Sequence, residues 1–317
     1  MTLSKKHPAD HDALHIQGLY KTYATGVEAL RGIDLSVKKG DFFALLGANG
    51  AGKSTTIGLI SSLLNKTAGT IAINGHDLDK HPILAKKSLG LVPQEINLNI
   101  FETCAQILRY QAGYFGIGRT EAQKRAEMLL KQMGLWHKRD SVVRNLSGGM
   151  KRRLMIARAL IHQPNVLLLD EPTAGVDIEI RHSIWEFLKQ INSEGTTIIL
   201  TTHYLEEAEQ LCNQLAIISH GKIVENNTIK DVLHSLQHQT FIFDTVEPIK
   251  KLPDFSPFTA ILLDPNQIEL RLENHCALND VFAIFDRHQI QIHSMRNKTN
   301  RLEELFMDLI QREMENS

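Results

Sequence analysis

Residues 47–54, Gly47-Ala-Asn-Gly-Ala-Gly-Lys53-Ser54, fit the pattern G-x-x-x-x-G-K-[ST], and this stretch restricts the fold more than any other. The preceding run Asp41-Phe-Phe-Ala-Leu-Leu46 reads as a buried strand, and Lys53 to Leu64 reads as a helix. Between a strand and a helix the pattern builds a phosphate cradle. Its glycines let backbone N–H groups turn inward, the helix N-terminus adds the positive end of its dipole, and Lys53 meets the β/γ charge. The Ser54 hydroxyl then reaches magnesium. By composition the pattern arises by chance about once in a hundred chains of this length. The bland alternative, a glycine-rich surface turn, is disfavoured by those flanks. The residues expected to touch nucleotide are Gly47, Ala48, Asn49, Gly50, Ala51, Gly52, Lys53, Ser54 and the adjoining Thr55.

A second motif, Val166-Leu-Leu-Leu-Asp170-Glu171, is an apolar run closed by two carboxylates. A buried parallel strand would deliver Asp170 to its C-terminal end, where α/β sheets bind ligands and where a carboxylate can hold magnesium. Glu171 would then orient or deprotonate water. Taken alone, an acid at the end of an apolar strand carries little weight; together with the phosphate cradle it points to nucleotide hydrolysis. A third motif, Leu146-Ser147-Gly148-Gly149-Met150, precedes the helical run Lys151 to Ile161. Ser147 is a natural N-cap, and the two glycines leave amides open to an anion. A plain capped helix start explains the same spacing, and Lys151-Arg-Arg153 reads as a solvated helix face.

With 317 residues, of which 43% are hydrophobic, the chain can fill one large core and a smaller second one. Short β-branched runs alternate with helical patterns, as in an α/β sheet with crossover helices. The expected division is a polar tail at 1–14, an α/β domain at 15–236 with an inserted helical lobe at about 97–161, and an α+β domain at 237–317. In the last part, Phe241 to Val246, Ala260 to Leu263 and Ile268 to Leu272 read as strands, and Leu278 to Phe285 and Leu302 to Ile310 as helices. His7, His11 and His15 have i, i+4 spacing, but Pro8, Asp10 and Asp12 argue against a helix that would align them. A net charge of -1 gives no basic field for nucleic acid. Cys104, Cys212 and Cys276 are too scattered for a disulfide framework or a zinc site. No apolar run approaches the roughly 20 residues that cross a bilayer, and the polar first residues lack a signal-peptide pattern. A cytoplasmic chain is expected, with any membrane role borrowed from a partner.

The cradle at Gly47 to Ser54, LSGGM at Leu146 to Met150 and LLLDEP at Leu167 to Pro172, in that order, resemble the nucleotide-binding domain of ABC transporters. The resemblance spans roughly Ile16 to Leu236. It implies that Gln94, in Leu91-Val-Pro-Gln-Glu95, senses magnesium and water, and that Asp177 lies on the D-loop. It further implies that His203 reaches the γ-phosphate and that Tyr23 stacks on adenine. Met150 stands where the family more often shows Gln. The stretches Asp170 to Asp177 and Gly195 to Ala208, with Arg301 to Phe306 in the tail, are similar to the ABC-2 type exporter branch. The resemblance therefore implies ATP and Mg2+ as ligands, with Ser54, Gln94 and Asp170 on the metal. Ser147, Gly148 and Gly149 would meet the nucleotide of a second copy, in a homodimer on the cytoplasmic face of a bacterial inner membrane, coupled to an ABC-2 type permease. A single-core soluble ABC ATPase, of the kind that serves iron-sulfur assembly, remains the alternative. A G-protein reading of Asn65-Lys-Thr-Ala68 fails because Ala68 lacks the carboxylate, and a nucleotide switch without turnover is disfavoured by Glu171.

Overall fold

The computed structural model describes residues 12–234, 238–249, 251–273 and 276–298. Residues 1–11, with His7 and His11, the expected helix Leu302 to Ile310 and the stretch Arg301 to Phe306 lie outside them. The contacts divide the chain into a first unit ending at Asn227 and a second beginning at Thr228. That division falls before Leu236, because helix α8 (Ile229–His234) groups with the second unit.

The first unit is built on a six-stranded sheet. Its centre is β3 (Phe42–Leu46), β7 (Val166–Asp170) and β8 (Thr197–Thr201), buried at every position, which is why each reads as a continuous apolar run rather than an alternating one. Strand β6 (Leu89–Val92) pairs with β7, β7 with β8, β8 with β3, and β3 with β9 (Gln214–Ser219), all parallel. β10 (Lys222–Thr228) follows β9 after the turn at His220-Gly221 and completes the order β10-β9-β3-β8-β7-β6. Because the four inner pairings are parallel, Gly47, Gln94, Glu171 and His203 all follow strand ends on one edge of the sheet, where open α/β sheets bind ligands.

Helix α1 (Lys53–Ile60) is shorter than the sequence suggests. Ser62 takes a left-handed backbone at φ 59, and the amides of Leu63 and Leu64 both turn back onto the Gly58 carbonyl, closing the helix before Leu64. A second sheet, β2 (Glu28–Lys38), β1 (Asp12–Thr22), β4 (Ala68–Ile73) and β5 (His76–Asp77), is antiparallel throughout, unlike the crossover pattern read from the sequence. Its periodicity is blurred by register shifts between Ile16 and Tyr20, which break the two-residue alternation. After α2 (Pro82–Lys87), helices α3 (Cys104–Tyr114), α4 (Arg119–Gln132) and α5 (Gly148–Leu160) pack on one another. A capping box between Thr103 and Gln106 starts α3.

In the second unit, β11 (His238–Thr245), β12 (Thr259–Asp264), β13 (Gln267–Glu273) and β14 (Ile292–Asn297) form an antiparallel sheet in the order β12-β13-β11-β14. Helix α9 (Leu278–Arg287) packs Val281 and Phe285 against Phe243, Ile268 and Leu270. Each such buried side chain stabilises this small core by about 1.5 to 3 kcal/mol.

Candidate functional site

Strand β3 ends at Leu46, and the chain there turns past β9 so closely that a Cβ on Gly47 would stand 2.5 Å from the Ile218 carbonyl oxygen. Gly50 and Gly52 then adopt φ 82 and 118, which only glycine enters without strain, and Gly52 caps α1. The resulting loop wraps Lys53, a residue 6% exposed, whose ammonium donates to the carbonyls of Gly47 (2.7 Å) and Ala48 (3.1 Å). Burial lowers the proton affinity of Lys53, and the carboxylates of Glu171 and Asp170 raise it back. An open cleft of about 350 Å³ lies over the loop, lined by Asn49, Gly50, Gly52, Lys53, Ser54, Thr55, Gln94 and Glu171. The Tyr23 hydroxyl is 3.3 Å from the Thr55 hydroxyl, which places the aromatic ring beside this helix start.

The acids come from the next strands. Asp170 ends β7 and accepts a hydrogen bond from the Thr201 hydroxyl across the β7–β8 pair. Burial pushes the Asp170 carboxyl up in proton affinity, and the Thr201 bond pulls it down. Glu171 has a left-handed backbone at φ 48, held by its amide donating 3.0 Å to the Thr201 carbonyl. A non-glycine residue in that region needs surroundings that enforce it, and such residues gather at functional sites. The Gln94 amide donates to Glu171 Oε2 at 3.0 Å, and His203 Nδ1 lies 3.1 Å from Glu171 Oε1. A carboxylate can only accept, so a hydrogen bond across this last distance is one in which Nδ1 carries the hydrogen. Gln94, Glu171 and His203 therefore form one connected group beside Lys53.

Ser147, Gly148, Gly149 and Asp177 are not brought into that cleft. The Ser147 hydroxyl accepts from the Met150 amide at 3.3 Å and caps α5, and Ser147 and Gly148 are exposed. A Cβ on Gly149 would stand 2.6 Å from Ile180 Cδ1, the end of a side chain that can turn aside. Asp177 is exposed at the start of α6 (Ile178–Ser193). The expected residues thus fall into two groups, a cleft and a separate helix tip.

One expectation is corrected. Lys151-Arg-Arg153 is not a solvated face: Arg152 is 5% exposed and donates to the carbonyls of Pro93 (2.9 Å) and Gln94 (2.7 Å). The helical repeat carries the signal, since positions 152, 155, 156 and 159 share the buried stripe of α5. Arg152→Ala removes two charge-assisted bonds, each of about 1.5 to 3 kcal/mol, and frees the backbone that holds Gln94. ATP turnover is expected to fall about tenfold, with Arg152→Lys in between; phosphate release alongside denaturant unfolding checks it.

Residues 30–174 match the ABC transporter family. The chain is 36% identical over 309 residues to the linearmycin resistance ATP-binding protein of Bacillus subtilis, covering 93% of this chain and 97% of that protein. The chain belongs to the ABC transporter family. The Nod factor export ATP-binding protein I of Ralstonia nicotianae is 36% identical over 312 residues, covering 95% of this ABC chain and 94% of the relative. The daunorubicin/doxorubicin resistance ATP-binding protein of Streptomyces peucetius is 31% identical, over 94% and 92%. Among solved structures, an ATP-binding subunit of an ABC transporter matches at a TM-score of 0.64 and 31% identity, over 69% of this chain and 91% of that one. A dimeric ATP-binding cassette holding ADP and phosphate after hydrolysis matches at 0.62 and 26%, over 68% and 98%. This ABC subunit is therefore an ATP-binding P-loop protein and an ATP hydrolase. No helix among the described residues is long and apolar enough to cross a membrane. Among the described residues no cluster of three or more His, Cys, Asp and Glu could bind a metal unaided.

Proposed function

We propose that this chain is the ATP-driven motor of a membrane exporter and works as a head-to-tail homodimer on the cytoplasmic face of the membrane, beneath an ABC-2 type permease. The observation that carries the dimer is the separation just described: Lys53, Glu171 and Gln94 share the cleft, while the capped tip at Ser147 stands exposed outside it. A two-fold arrangement makes both groups useful, with the tip of one copy covering the cleft of the other and no nucleic acid needed. The names of the relatives, which speak of export and drug resistance, support the direction of transport. Phe101 and Tyr114, 72% and 87% exposed on the helical lobe, supply apolar surface for a permease to cover.

In this reading the amides of Gly47 to Ser54 and the Lys53 ammonium hold the β- and γ-phosphates, and Tyr23 stacks on the adenine. Magnesium, held by Ser54, Gln94 and Asp170, would offset the phosphate charge. Glu171 orients the attacking water and accepts its proton, Gln94 and His203 fix the carboxylate, and His203 also reaches the γ-phosphate. From the second copy, Ser147, Gly148 and Gly149 donate to the γ-phosphate and Asp177 lines the joint. Each bond to that charge is worth about 1.5 to 3 kcal/mol, and reversing a 99:1 open population takes roughly 5.5 kcal/mol. A few bonds across two sites suffice to close the dimer on ATP.

Mixing two inactive variants tests it. Lys53→Ala keeps an intact tip and Ser147→Arg an intact cleft, so half of randomly mixed dimers hold one sound composite site, and up to about a quarter of the wild-type rate should return. A mixture no faster than its parents would rule out composite sites. Purification from solubilised membranes should bring down a polytopic apolar partner; a purely soluble companion would overturn the exporter reading.

A further inference from the structure

Glu207, on α7 (Leu205–Leu211), is completely buried, and the hydrolysis reading gives it no task. Its Oε1 accepts from the Thr173 hydroxyl at 2.9 Å and from the Trp185 indole N–H at 3.0 Å, both from buried residues. Burial pushes its proton affinity up, while Thr202, Trp185, Thr173 and then Arg181 pull it back. The Thr202 hydroxyl accepts from the Tyr204 amide at 2.9 Å, which leaves its own hydrogen free to turn toward the Glu207 carboxyl, although no hydrogen bond to Oε2 is formed. Arg181 stacks over the Tyr204 ring, 4.8 Å from its centroid, and its Nε is buried without an acceptor. Burying an acid with one oxygen unpaired is costly, and an apolar side chain would fill the space more cheaply.

What the carboxyl holds is informative. Thr173 lies two residues beyond Glu171, Thr202 immediately precedes His203, and Trp185 belongs to the helix that Asp177 opens. Glu171 itself keeps a left-handed backbone that its surroundings must enforce. We propose that Glu207 is a positioning residue for hydrolysis: by gripping Thr173 and Trp185 beside Thr202 it fixes the turn after Glu171 against the strand end before His203, and so maintains the 3.1 Å Glu171–His203 contact. This rests on Glu171 and His203 acting as read above.

The test compares Glu207→Ala, Glu207→Gln and Thr173→Val in the full chain, with kcat, affinity for a fluorescent ATP analogue and thermal unfolding measured on each. Glu207→Gln keeps an acceptor facing Thr173 and Trp185, so kcat should stay within about threefold of wild type, whereas Glu207→Ala should lose about thirtyfold. ATP affinity should change less than about twofold in both. Thr173→Val removes one grip with little change of volume, and should lower kcat about fivefold even if the alanine variant does not fold. In a Glu171→Gln background, adding Thr173→Val should cost nothing further, because both changes act through one carboxylate. Normal kcat in Thr173→Val, a loss of affinity equal to the loss of rate, or a full further loss in that background each overturns the proposal. A Glu171→Gln variant that turns over normally would instead refute the assignment of the base, which separates the two failures.

Discussion

Glu171→Gln should bind ATP as the wild type does and hydrolyse it about a thousandfold more slowly, within the range of about 10²–10⁴ that a positioned base contributes. The substitution keeps the volume of a side chain that is 11% exposed, so the cleft should survive it. Lys53, Ser54 and the glycine amides, which meet the phosphates, are untouched. What changes is the chemistry of two oxygens. Oε2 now accepts from Gln94 and Oε1 faces His203 Nδ1; an amide offers only one oxygen to these two donors and has no basicity for the proton of water. ATP should therefore close the dimer and remain intact, so gel filtration with ATP should show the dimer persisting while phosphate release from saturating ATP is nearly abolished. Turnover within about tenfold of wild type would remove Glu171 from the role of base.

The parts of this site legible in the sequence are those whose function demands contiguous spacing. A phosphate cradle needs its glycines, Lys53 and Ser54 at fixed offsets in one turn, so Gly47 to Ser54 could be read without knowing what surrounds them. The same holds for Val166 to Glu171, where a strand buried on both faces must be apolar until it reaches the ligand edge. Residues acting across the fold were hidden. Arg152 holds carbonyls near residue 94, far away in the chain, and an arginine among lysine and arginine neighbours looks solvated until the helical face is traced. Glu207 sits in Leu205-Glu-Glu-Ala-Glu209, where three acids look equally surface-like; only the tertiary contacts single out one of them. The antiparallel sheet escaped for a different reason, since its register shifts erase the alternation that would announce it.

Lys53→Ala tests the other half of the chemistry and should weaken ATP binding about a hundredfold or more, since bonds to a charged group are worth about 1.5 to 3 kcal/mol each and this ammonium can serve two phosphates. Folding should be affected far less. Alanine is the best helix former at the first position of α1, and of the two carbonyls that lose a donor, that of the exposed Ala48 can be met by water while that of the buried Gly47 bears the remaining cost. Removing the cation also leaves Asp170 and Glu171 less compensated, with Arg152 still acting on both, which further repels a polyphosphate. Lys53→Arg should not restore affinity. The loop closes on a compact ammonium within 2.7 and 3.1 Å of two carbonyls, and a planar guanidinium is too wide for that grip. Titration with a fluorescent ATP analogue, alongside thermal unfolding, separates the two effects; wild-type affinity in the alanine variant would mean that the phosphates are held elsewhere.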